Sequence, residues 1–120
     1  MTVTLTKSFS FEAAQYLPNF PEGHKCRRLH GHSFKVEVSI CGEVDERTGI
    51  YVDHAQISHA MGAVIAELDH VCLNDLPGME NPTIELMCRW LWRRLKPALP
   101  GLCEIRLFET ERAWCSYRGD

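Results

Sequence analysis

The chain reads as an α+β domain in the order β-β-α-α-β-β, an antiparallel sheet with two helices on one face. Apolar residues recur with a period of two at both ends of the chain and with a helical period in the middle. Pro and Gly residues punctuate the boundaries between these stretches. A length of 120 residues fits one domain, 1–120, and no linker, low-complexity segment or internal repeat divides it.

The first strand rests on Val3, Leu5, Phe9, Phe11 and Ala13, which share odd parity interrupted only by Lys7. Extending that parity lands on Gln15. Pro18, Pro21 and Gly23 then mark an irregular loop leading to Cys26. A second strand is expected from near His30 to about Val44, with Phe34, Val36, Val38 and Ile40 sharing the parity of His30 and His32. The turn-rich Asp45–Gly49 segment ends it. Ile57, Met61, Val64, Ile65 and Leu68 form one helical stripe that should end near Asp69-His70. Asn81-Pro82 looks like the start of the second helix, with Asn as N-cap and Pro in the first position. Its stripe is Ile84, Met87, Cys88, Leu91 and Leu95, closed by Pro97 and Pro100-Gly101. Two strands finish the chain. Cys103, Ile105, Leu107 and Glu109 alternate in one, Ala113, Cys115 and Tyr117 in the other, with a turn at Glu111-Arg112.

Composition narrows the functional classes. The apolar fraction of 45% supports a core, but a small one, and small β-rich domains often complete their burial by self-association. A net charge of −3 gives nucleic-acid binding no electrostatic support. Residues 1–11 alternate rather than forming the apolar run of a signal peptide, and no stretch is long enough to span a membrane. The six cysteines are scattered without a CxxC pair, so reduced thiols in the cytoplasm are expected.

The stretch Cys26-Arg27-Arg28-Leu29-His30-Gly31-His32 carries the most chemistry. Two histidines at i and i+2 on an extended chain point the same way, so both imidazoles can reach one metal ion. Cys26 lies among Lys25, Arg27 and Arg28, whose positive charge favours the thiolate. The same cluster could attract a polyanionic substrate. Without further context, KCRR is ordinary solvated charge, and an Asp-His pair at a helix end is a cap.

Further context exists along nearly the whole chain. FSFEAA, EGHKCRRLHGHSF, GEVD…TG, LDH, LNDLPG, NPTIE and FETERAWCSYRG occur in that order. With these motifs the chain resembles the 6-pyruvoyltetrahydropterin synthase family, and most closely its bacterial branch, the 6-carboxytetrahydropterin synthases of queuosine biosynthesis. The CxxxHGH spacing is similar to that of the carboxy-forming branch. The resemblance implies the tunnelling (T-)fold, in which subunits join their sheets into a trimeric barrel and two trimers stack as a homohexamer with sites between subunits. It implies a small-molecule partner, 7,8-dihydroneopterin triphosphate, and the products 6-carboxy-5,6,7,8-tetrahydropterin, acetaldehyde and triphosphate.

Site residues follow from the same resemblance. His30 and His32 match two zinc ligands, with one Zn²⁺ expected per subunit. The family's third ligand is the histidine of FxAAH, where this chain reads Phe11-Glu12-Ala13-Ala14-Gln15. Three arrangements are open: Gln15 ligates through its oxygen, two histidines hold the metal with water, or the site is metal-poor. An amide oxygen is a weaker zinc donor than imidazole and suits harder divalent ions better. His24, in the loop before Lys25, reads as solvated. Cys26 matches the catalytic cysteine, Asp69 and His70 the acid–base dyad, which in the family acts from a neighbouring subunit, and Glu109 the carboxylate that anchors the pterin ring. Thr83 and Glu85 match residues that help hold the pterin, and Lys25 and Arg27 would face the triphosphate. Trp90, Trp92 and Trp114 read as packing or subunit contacts. The alternatives are pyruvoyltetrahydropterin formation, side-chain cleavage of a pterin such as sepiapterin, or a catalytically weak pterin- or metal-binding paralogue.

Overall fold

The computed structural model describes residues 1–120. Strands β1 (Thr2–Gln15), β2 (His30–Glu43), β3 (Leu102–Thr110) and β4 (Ala113–Tyr117) form one antiparallel sheet in the order β1-β2-β3-β4. Helices α1 (His54–Leu68) and α2 (Ile84–Leu95) lie between β2 and β3 in the chain. Short 3-10 turns occupy Lys25–Arg27 and Leu73–Asp75.

Alternation builds one buried sheet face. Phe11, Phe34, Val36, Val38, Ile105 and Leu107 are nearly or wholly buried, and the helices cover them with Ile57, Met61, Leu68, Met87, Leu91 and Leu95. Phe11 sits opposite Phe34 in the register, and their rings stack at 4.9 Å. Lys7, the one break in the odd parity of β1, keeps its place because its stem lies along the core face and its Nζ donates to Ser58 Oγ on α1 at 2.5 Å. The opposite face of β1 is a row of exposed Thr2, Thr4, Thr6, Ser8 and Ser10.

Two expectations need correction. Thr83, not Asn81, caps α2: its extended backbone (φ −66, ψ 153) follows Pro82, and its side chain accepts from the Leu86 N–H. Pro82 therefore precedes the cap, and the helix begins at Ile84. Cys103 does not share the core face with Ile105. Ser39 pairs with Glu104 but Ile40 pairs with Leu102, so Cys103 is the extra residue of a bulge and Leu102 is buried instead.

After α1 the chain doubles back along the end of β1. Asp69 caps the helix, and His70 takes a left-handed conformation (φ 59). The His70 N–H then donates to Glu12 O at 2.6 Å and the Ala14 N–H to Val71 O at 2.9 Å, and Cys72 bridges Ala14 in parallel. This contact brings the Asp-His pair to the strand that carries Gln15.

Candidate active site

The register of β1 on β2 places Ala13 opposite His32 and Gln15 opposite His30. All four sit at one end of the core face, with Ala13 and Gln15 buried and the two histidines partly exposed. The rings of His30 and His32 meet edge to face at 4.9 Å. Arg28 O, 2.7 Å from His30 Nδ1, can only accept, so Nδ1 carries the proton and Nε2 keeps a free lone pair.

Glu109 reaches the same place by a second bulge. Phe108 pairs with Trp114 and Thr110 with Ala113, leaving Glu109 as the extra residue of β3. Its Oε1 accepts from Gln15 Nε2 at 3.3 Å and lies 3.5 Å from His32 Nε2. Burial holds the His32 pKa below its ordinary value; Glu109 works against that shift and His30 adds to it. A neutral imidazole is the form a metal needs.

Gln15 is fully buried, and its Oε1 has no hydrogen-bond partner. That orphaned oxygen tests whether these residues suit a metal ion. No three His, Cys, Asp or Glu side chains are arranged so that they alone would hold a metal ion. His30 and His32, with Gln15 paired to His30 on the neighbouring strand, offer two imidazole nitrogens and one unpaired amide oxygen, donor types that a divalent cation accepts. The residues present fit such an ion.

Next to this cluster, a cleft of about 550 Å³ is lined by Glu12, His32, Ser33, His70 and Cys72, among others. Asp69 Oδ1 accepts the Glu12 N–H at 2.8 Å and lies 2.9 Å from His70 Nδ1. The Asp69 carboxyl is held below its usual range, first by the Glu12 N–H and then, against some desolvation, by His70. The cap thus fixes the carboxylate, and the carboxylate orients an imidazole that is largely exposed in the cleft.

The other residues singled out from the sequence lie apart within one chain. Cys26 sits half-buried in the Lys25–Arg27 turn, where its N–H donates to His24 Nδ1 at 3.0 Å and its carbonyl accepts from the Leu17 N–H at 2.9 Å. His24 is therefore not simply solvated: it caps this turn and stacks on Phe20 at 4.1 Å. Arg27 donates to Phe20 O, and Lys25 is exposed. Thr83 lines a separate hollow of about 200 Å³ with Leu17, Asn19, Phe20 and Asn81, and Glu85 is exposed in the first turn of α2. Sequence reading missed Glu12, Ser33 and Cys72 as cleft residues. Glu12 and Ser33 share a hydrogen bond of 2.6 Å on the outward parity of their strands. Only the nearness of Cys72 to His70 along the chain could have pointed to it.

The sequence family described as 6-pyruvoyl tetrahydropterin synthase matches residues 4–120, and the chain belongs to that family of pterin synthases. Over 110 residues it is 42% identical to a 6-carboxy-5,6,7,8-tetrahydropterin synthase of Synechocystis, covering 87% of this chain and 84% of that protein. It is 34% identical over 96 residues to a dihydroneopterin monophosphate aldolase of Pyrococcus furiosus, covering 76% of this chain and 81% of that protein. The structure of a Caenorhabditis elegans 6-pyruvoyl tetrahydropterin synthase superposes with a TM-score of 0.91 at 26% identity, across 100% of this chain and 97% of that one. The fold is the T-fold expected from the motifs. No helix is long and apolar enough to cross a membrane.

Proposed function

We propose that this chain is a cytoplasmic lyase that converts 7,8-dihydroneopterin triphosphate to 6-carboxy-5,6,7,8-tetrahydropterin, acetaldehyde and triphosphate, the carboxytetrahydropterin step of queuosine biosynthesis. One observation carries the reading. Glu109, the extra residue of a bulge, meets Gln15 and His32 beside a cleft that His32 and His70 both line.

In this reading His30, His32 and Gln15 hold one divalent ion per chain, zinc or a harder ion. When bound, the ion supplies Lewis acidity to the C–H and O–H bonds of the substrate side chain. The protein's own groups do the rest. Glu109 accepts two adjacent N–H donors of the pterin ring and fixes its position, while Thr83 and Glu85 complete the ring contacts. Lys25 and Arg27 draw the triphosphate towards Cys26. Cys26 removes a side-chain proton. His70, held by Asp69, exchanges protons during tautomerisation and triphosphate loss. Carbon–carbon cleavage with uptake of water then releases acetaldehyde. The electrons rearrange within the substrate, so the balance needs no external oxidant.

Cys26 and Thr83 lie away from the His70 cleft within one chain, which favours a site completed by a neighbouring copy. The chain's shape supports self-association, for which the family likeness implies a homohexamer of two stacked trimers. Its radius of gyration is 15.7 Å and its long axis 59 Å, whereas a compact chain of this length would have a radius of roughly 13.6 Å. β4 and the part of β1 before Glu12 present open sheet edges, and edges of this kind invite pairing with another copy.

The test is to strip the protein of metal, reload it with zinc or manganese, and quantify carboxytetrahydropterin and acetaldehyde from dihydroneopterin triphosphate. Metal-dependent appearance of both supports the lyase. A protein that binds pterin but makes neither product with any ion is not this enzyme. The likeness to the Pyrococcus protein calls for dihydroneopterin monophosphate as a parallel substrate; faster turnover there would assign aldolase chemistry instead.

A further inference from the structure

Gln15 is the residue of this cluster whose environment is least settled by a metal-binding role alone. Its amide has two unlike ends, and both are buried. Nε2 donates to Glu109 Oε1, while Oε1 is unpaired. An amide can rotate by half a turn with almost no change of shape, so its orientation must be set by its neighbours. Here one neighbour decides it. A carboxylate only accepts, so it repels the amide oxygen and takes the N–H. The oxygen is then the other branch of the amide, on a residue that pairs with His30 in the sheet.

We propose that Glu109 is a positioning residue for the metal site: by holding Gln15 Nε2 it locks the amide with its oxygen, not its nitrogen, towards the ion shared with His30 and His32. The inference rests on the proposed metal site and adds to it a second task for Glu109, the proposed ring anchor. The Gln15 N–H bond uses part of one carboxylate oxygen, and the remaining lone pairs of Glu109 stay free for the pterin. Outer partners that orient a ligand in this way contribute about 10–100-fold in metal affinity. A histidine at position 15 would not need the same lock to present a donor, so the arrangement belongs to the glutamine this chain carries.

The test uses the full chain without substrate, with zinc and manganese affinities measured by competition against a chromophoric chelator and folding checked by thermal unfolding. Glu109→Gln permits the reversed amide, because a glutamine there can donate to Gln15 Oε1. Metal affinity should fall about 10–100-fold. In Gln15→Glu, a carboxylate presents oxygen at both ends and needs no lock, so adding Glu109→Gln to that variant should leave affinity unchanged or raise it. Weakening that appears only with Gln15 present supports the proposal. Equal weakening in the Gln15→Glu background would make Glu109 a direct ligand and overturn the lock. An unchanged affinity in Glu109→Gln alone also overturns it while leaving the metal site standing. A wild-type chain that binds neither ion removes the metal site itself, and the lock with it.

Discussion

Replacing Gln15 by leucine gives the sharpest test of whether the orphaned oxygen faces the metal. Leucine keeps the apolar stem and most of the volume at a position with no exposed surface. In metal-free protein two effects oppose. Removing a buried unsatisfied acceptor relieves about 1–3 kcal/mol, while the lost hydrogen bond to the Glu109 carboxylate is worth about 1.5–3 kcal/mol. The stripped variant should therefore unfold within a few degrees of stripped wild type. The loaded proteins should separate. Zinc at 100 times its dissociation constant stabilises a folded chain by about 2.7 kcal/mol. With an unfolding entropy of about 2.1 cal/mol/K per residue, that raises the melting temperature of a chain this long by roughly 11 °C. If losing Gln15 weakens binding about 100-fold, the same zinc concentration contributes only about 0.4 kcal/mol, or roughly 2 °C. Differential scanning calorimetry at fixed protein concentration reads the contrast directly, since oligomers melt in a concentration-dependent way. A leucine variant that keeps the full shift would refute the placement of Gln15 at the ion.

Other outcomes follow from the same geometry. Gln15→His should raise zinc affinity over manganese and raise zinc-supported turnover with it, because imidazole is the better zinc donor; equilibrium dialysis with both ions and a product assay would show whether the two move together. Asp69→Asn keeps an oxygen for the Glu12 N–H but removes the carboxylate charge that lies 2.9 Å from His70 Nδ1, so kcat should fall about 10²-fold or more with folding retained. Normal turnover in that variant would remove the dyad from the mechanism. The folded-state pKa of Asp69 is depressed below 3.8. Its contribution to stability is therefore present above that value and is lost as pH falls through the lower folded value. Wild type should lose stability below about pH 3.8 more steeply than Asp69→Asn in acid denaturation, at the unfolded-state carboxyl pKa. Thr83→Ala removes the α2 cap and should cost about 1 kcal/mol, measured by denaturant titration. A loss confined to pterin affinity would instead place the Thr83 hydroxyl on the ligand.

The fold was legible where the chain is regular. Parity alone gives the faces of β1 and β2 and so puts Gln15 and His30 on inward faces, while their pairing is set by the register that the structure shows. The helical stripes likewise mark Ile57, Met61, Val64 and Leu68 on α1 and Met87, Cys88, Leu91 and Leu95 on α2 as inward-facing, and all are buried. What was not legible depends on breaks in that regularity. Period-two reading puts Cys103 on the core face, but a bulge removes it, and nothing in Leu102-Cys103-Glu104 announces an extra residue. The contact of Asp69 and His70 with β1 depends on a left-handed backbone at a histidine, a conformation few non-glycine residues adopt.

The second bulge ties these points to function. Parity already assigned Glu109 to the inward face, where an ionised carboxylate is costly without partners. A regular ladder would continue from Phe108 and Trp114 to a pair between Glu109 and Ala113. The observed ladder pairs Thr110 with Ala113, which frees Glu109 to meet Gln15 and His32 from β1 and β2. The extra residue breaks the local pairing at the end of the sheet, beside the cleft. Three strands thereby supply one cluster: an amide from β1, two imidazoles from β2 and a carboxylate from β3. Changing any one of them alters the partners of the others, so substitutions at Gln15, His32 and Glu109 should be non-additive in metal affinity, as expected for side chains in direct contact.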